Sequence, residues 1–106
     1  MKASQWLKEG SSRNYDNISY KLRLFITGAS PNSTRAVDNL IAFCEKNLQD
    51  NYTLEVIDVY QQPAIAETEQ IIALPLLIAS GPETKRRLIG DMSDTEKLYK
   101  YFRIIP

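Results

Sequence analysis

The stretch from Tyr20 to Tyr60 constrains the fold most. Leu22, Leu24 and Ile26 alternate with Lys21, Arg23 and Phe25, the period-two pattern of a strand. Gly28 stops the pattern. Ser30 then offers an N-cap oxygen, and Pro31 stands at the first helical position, where its missing N–H costs nothing. Val37, Leu40, Ile41, Cys44 and Leu48 follow at helical spacing, which predicts one buried stripe on a helix over about residues 31–49. After a turn at Asp50-Asn51, the segment TLEVIDVY at 53–60 is apolar on both faces, which suits a buried parallel strand. Strand, long helix, strand is a βαβ unit with an expected right-handed crossover.

The remainder completes a sheet. Pro63 opens a short helix to about Ala73 that carries Ile65, Ile71 and Ile72, and Leu74-Pro75 breaks it because a residue before proline is pushed out of the helical region. LLIAS at 76–80 reads as a third strand, Ser80-Gly81-Pro82-Glu83 as a turn, and Arg86 to Ile89 as a fourth strand paired antiparallel with the third. Gly90-Asp91 ends it. Ser93-Asp94-Thr95-Glu96 has the form of a capping box, with Ser93 and Glu96 as the reciprocal pair. The last helix turns Leu98, Tyr99, Phe102 and Ile105 inward. The order βαβ-α-ββα predicts a single α/β domain of thioredoxin-like topology over residues 19–106. Residues 1–18, with Trp6 and Leu7 as their large apolar pair, read as a flexible N-terminal extension. A short helix docking Trp6 on a partner or sister subunit is the alternative.

Composition removes several functions. Thirteen Lys+Arg balance thirteen Asp+Glu, so the chain lacks the basic excess of a general nucleic-acid binder. No apolar run reaches the roughly 18 residues of a membrane span, and the start has no apolar signal core, so the expectation is a cytoplasmic protein without a membrane partner. There is no histidine, and Cys44 is the one cysteine. Those counts exclude Ser–His and Cys–His nucleophile pairs, an intrachain disulfide and a Cys-x-x-Cys redox pair. No enzyme activity, cofactor or metal site is expected.

In a thioredoxin-like fold, chemistry sits where the first helix starts. Here Ser30-Pro31-Asn32-Ser33 stands in place of Cys-x-x-Cys, and a serine cannot run disulfide exchange. Both serines are expected to hydrogen-bond the helix start. Cys44 lies on the apolar stripe as a structural residue, and a redox sensor acting through it is the least favoured reading. Pro75 is the expected cis proline. Asp58, at the carboxyl end of what reads as a central strand, is expected to make a structural hydrogen bond. Lys85-Arg86-Arg87 is the densest cationic run; it is either a solvated hairpin flank or a contact for an acidic protein surface. Zero net charge and Tyr20, Tyr52, Tyr60, Tyr99 and Tyr101 favour a homo-oligomer, with the number of subunits left open by the sequence.

LRLFITGASPNSTRAV at 22–37, LEVIDVYQQPAIAETEQIIALPLLI at 54–78 and RRLIGDMSD at 86–94 together resemble the KaiB family of circadian clock proteins. The match rests on Gly28 with Pro31-Asn32-Ser33 and Arg35, on Val56-Ile57-Asp58-Val59, Pro63, Ala66-Glu67 and Ala73 with Pro75, and on Arg86-Arg87 with Ile89-Gly90-Asp91. It covers about residues 20–98. A lesser similarity is to the KaiB-like sensor domain of the clock-associated histidine kinase.

The resemblance implies a non-enzymatic adaptor that binds the KaiC ATPase ring, with a KaiA-like protein or a histidine kinase as further partners. Its basic residues map to Arg35, Arg86 and Arg87 as partner-binding positions; the intramolecular alternative pairs Arg35 with Asp38 or Asp58. It also implies fold switching between the thioredoxin-like form and a resting βαββααβ tetramer, with Gly90 and Asp91 in the hinge, where a glycine accepts two backbone settings. The chain departs from the family in its N-terminal extension, in Gln61 where a lysine is usual, and in an end without an acidic tail. A KaiB-like role in stress or signalling without a clock is the alternative function.

Overall fold

The alternation at the start is strand β1 (Tyr20–Ile26), and the Ser30-Pro31 signal opens helix α1 (Pro31–Asn47). This computed structural model describes residues 20–71, 73–80 and 85–104. The extension at 1–18, Ile72, the turn after Ser80 and Ile105 lie outside the described residues. Strand β2 (Tyr52–Asp58), helix α2 (Pro63–Thr68), strands β3 (Leu76–Ser80) and β4 (Lys85–Ile89), and helix α3 (Thr95–Phe102) complete the order. The sheet runs β2-β1-β3-β4; β1 is parallel to β2 and antiparallel to β3, and β3 is antiparallel to β4. The βαβ-α-ββα reading holds.

Strand alternation divides the core in two. Leu22, Leu24, Leu77 and Ala79 meet Ala36, Leu40, Phe43 and Cys44 of α1 and Leu98 and Phe102 of α3 on one face. Phe25, Ile57, Leu76 and Ile78 meet Ile65 and Ala66 of α2, with Ile71 beyond its end, on the other. Phe25, on the polar side of the β1 pattern, is therefore a core residue of the second face.

Five details differ from the sequence reading. β2 is an edge strand; its two-sided apolar pattern arises because Ile57 faces the α2 side while Val56, 42% exposed, faces the α1 side. The α1 stripe is Ala36-Leu40-Phe43-Cys44-Leu48; Ile41 stands one residue off it at 41% exposure, and Val37 is half-buried. α1 ends two residues before the predicted boundary, with Leu48 as C-cap and Gln49 at φ 50°. α2 stops at Thr68 rather than Ala73, because Gln70 takes a left-handed φ of 56°. The Gln70 amide then donates to the Glu67 carbonyl at 3.1 Å and the Ile71 amide to the Ala66 carbonyl at 2.9 Å, a Schellman ending without glycine. Finally, α3 is capped by Asp94, whose carboxylate accepts the Lys97 amide at 3.2 Å. The capping box read at Ser93 is one residue out of register.

Candidate functional site

The carboxyl ends of β1, β2 and β4 and the start of β3 lie at one end of the sheet, where α1 and α2 also begin. Gly28 makes the turn into α1 at φ +56°, a setting that favours glycine. Its amide donates to Asp58 Oδ1 at 3.0 Å, which also accepts the Tyr60 amide at 2.9 Å. Asp58 thus ties the end of β2 to the turn after β1, from an edge strand rather than a central one.

The α1 start is a closed hydroxyl network. Ser30 Oγ accepts the Ser33 amide at 3.2 Å and donates to Ser33 Oγ at 2.8 Å, and Ser33 Oγ accepts the Thr27 amide at 3.0 Å. Ser33 is only 1% exposed. Where a redox protein would hold thiols, these hydroxyls satisfy the helix start and one another. The Leu74–Pro75 peptide bond is cis, and the Pro75 carbonyl accepts the Gly90 amide at 3.0 Å.

Gly90 has φ +130° with open space where a Cβ would stand, and Met92, buried at 4% exposure, has φ 64°. Asp91 between them is fastened to α1: Arg35 Nε donates to Oδ2 at 3.3 Å and Asn39 donates to the Asp91 carbonyl at 3.0 Å. The side chain and amide of Ser93, with Arg35, hold the Asp91 carboxyl below the usual carboxylate range. Arg35 also donates to the Asn32 side chain. Its partner is therefore Asp91, neither Asp38 nor Asp58, so the two sequence-predicted sites, arginine and hinge, meet.

Arg86 and Arg87 do not form one patch. Consecutive strand residues face opposite sides. Arg86 reaches the Tyr101 carbonyl in α3 at 3.0 Å, while Arg87 reaches the Gln70 carbonyl at 3.3 Å and the Glu69 carbonyl just past α2. Both guanidinium groups meet carbonyls at or beyond a helix C-terminus, the negative end of the helix dipole. Glu69 in addition accepts from Arg23 at 3.2 Å and Lys85 at 3.5 Å. The Arg23 hydrogen bond, more than any other effect, lowers its carboxyl pKa. Asn39 and Glu69 went unread in the sequence, where nothing local marks them.

Cys44 is fully buried, and burial, with a smaller push from Glu45, raises its thiol to about 12. No helix among the described residues is long and apolar enough to cross a membrane, and no group of three His, Cys, Asp or Glu among them could hold a metal ion.

The fold matches the germline-specific thioredoxin Deadhead of Drosophila melanogaster with a TM-score of 0.65 at 13% identity, covering 80% of this chain and 79% of that one. It matches mitochondrial thioredoxin 3 of Saccharomyces cerevisiae with a TM-score of 0.65 at 15% identity, covering 80% and 77%. This is a thioredoxin fold with serines in place of the dithiol. A family model, the KaiB domain, matches residues 23–104. The circadian clock protein KaiB3 of Synechocystis is 46% identical over 85 residues, 80% of this chain and 83% of the relative. The circadian clock oscillator protein KaiB of Prochlorococcus marinus is 44% identical over 79 residues, 74% and 75%. The chain belongs to the KaiB family.

Proposed function

We propose that this protein is a non-enzymatic, clock-type adaptor that binds a KaiC-type ATPase, with a KaiA-like protein or a histidine kinase as further partners. The observation that carries this reading is the family match over residues 23–104, which spans β1 from Arg23 onward, the other three strands and all three helices. Relatives at 46% and 44% identity are circadian clock proteins. The mutually satisfied hydroxyls at the α1 start and the buried, high-pKa Cys44 support an adaptor over a redox protein. Arg35 is the first partner-binding candidate, since its side chain is 55% exposed. Arg86 and Arg87 are the second and third, and each also holds a helix end. Gly90 and Asp91 serve as the hinge; positive φ at Gly90 and Met92 on either side of Asp91 supports that assignment. The protein assembles as a dimer or tetramer in the cytoplasm. A pull-down with a KaiC-type ATPase in its nucleotide-loaded states tests the reading: nucleotide-dependent retention supports it, and no retention in any state contradicts it.

A further inference from the structure

The geometry points to Tyr101 as a lock that joins β4 and α3 into one body: its hydroxyl bridges β3 and β4, and Arg86 returns the contact. Tyr101 lies in the last turn of α3, yet its hydroxyl reaches the sheet. It accepts the Ala79 amide at 2.9 Å and donates to the Arg86 carbonyl at 2.6 Å, with the Leu77 carbonyl at 3.4 Å. Ala79 and Arg86 are directly paired across β3 and β4, so one side-chain oxygen links two strands at a register position. In the other direction the Arg86 guanidinium donates to the Tyr101 carbonyl at 3.0 Å. That carbonyl belongs to the last helical turn, where carbonyls lack helical partners. Each residue therefore satisfies the other's backbone.

The surroundings favour a lock over an incidental contact. Ala79 is 5% exposed, so its amide has little access to replacement water if the hydroxyl leaves. Burial, the largest effect on the Tyr101 hydroxyl, raises its pKa to about 12, so the O–H donor persists across the neutral range. The neighbouring Phe102 is 2% exposed and packs edge-on to Tyr20 of β1, with ring centroids 5.3 Å apart. The Tyr20 hydroxyl donates to the Phe102 carbonyl at 3.4 Å. Arg103 closes the helix in a left-handed setting, φ 57°, and so fixes the end that carries the lock. Lifting α3 withdraws the hydroxyl from the strands, and parting β3 from β4 withdraws the carbonyl that the hydroxyl needs. The two motions are one.

Native-state hydrogen exchange on the full chain tests this as a positioning role. In the wild type, the Ala79 amide and the α3 amides from Leu98 to Phe102 should share one opening free energy and one dependence on denaturant. Tyr101→Phe keeps the ring and removes the oxygen; it should speed Ala79 exchange about tenfold and uncouple it from α3, with Leu24 and Leu40 changing less than about twofold. Arg86→Gln leaves the hydroxyl bridge to main chain and should speed α3 more than Ala79. Independent exchange of Ala79 and α3 in the wild type overturns the lock, and that comparison needs no variant. Uniform acceleration of all amides in Tyr101→Phe, or none, also overturns it.

Discussion

Treating the native protein with a thiol reagent near pH 8 should leave Cys44 unlabelled on the timescale on which the denatured chain reacts fully. The nucleophile is the thiolate. An ordinary thiol at 9.0 is roughly one-tenth ionised at that pH, whereas a thiol raised to about 12 is ionised at roughly one part in ten thousand, a difference of about a thousandfold. Occlusion multiplies this, because Cys44 is 0% exposed against β1 and β3 and must wait for the helix to open. Cys44→Ser places a hydroxyl in the same apolar site and should cost about 1–3 kcal/mol. At about 4–8 °C per kcal/mol, that lowers Tm without changing the fold or partner binding. Cys44→Ala, which buries no polar group, should lose less. Labelling kinetics in native buffer and in guanidinium, with thermal melts of both variants, make the comparison. Native labelling as fast as denatured labelling would refute the packing argument and revive the redox-sensor reading.

Arg35→Ala should slow partner association and flatten its salt dependence while moving Tm little, because the ion pair with Asp91 is solvated; a large Tm drop in a melt would make Arg35 structural first. Replacing Arg86 and Arg87 together should lower both Tm and affinity, since each guanidinium holds a helix end. The Glu69 carboxyl has a lowered folded pKa, so its stabilising contribution is full above the ordinary carboxylate value and disappears as pH falls through the folded one. Urea midpoints near neutrality and near pH 3 should therefore differ more for the wild type than for Glu69→Gln. Gln70→Gly, which relieves a left-handed residue and keeps the carbonyl that Arg87 uses, should raise stability by up to about 1 kcal/mol in a urea titration.

Local signals were legible in the sequence; long-range ones were not. The β1 alternation, the Ser30-Pro31 helix start and the antiparallel β3–β4 pairing depend on neighbours a few residues apart, and the structure has them. The end of α2 escaped because Gln70, not glycine, adopts the left-handed turn, so Pro75 looked like the first stop. A two-sided apolar run does not separate a central strand from an edge strand packed on both faces, so the pattern of β2 alone does not reveal its edge position. The split of Arg86 from Arg87 was available in principle, since a strand sends consecutive side chains to opposite faces. The meeting of Arg35 with Asp91 crosses 56 residues of sequence, and nothing in the intervening pattern announces it.

The proposed adaptor role is measured by titrating the purified chain against a KaiC-type ATPase and following the bound fraction in each nucleotide state. Saturable binding that depends on the nucleotide, and that weakens in Arg35→Ala at nearly unchanged Tm, is the predicted result. A well-folded chain that shows no binding in any nucleotide state rules out the adaptor role.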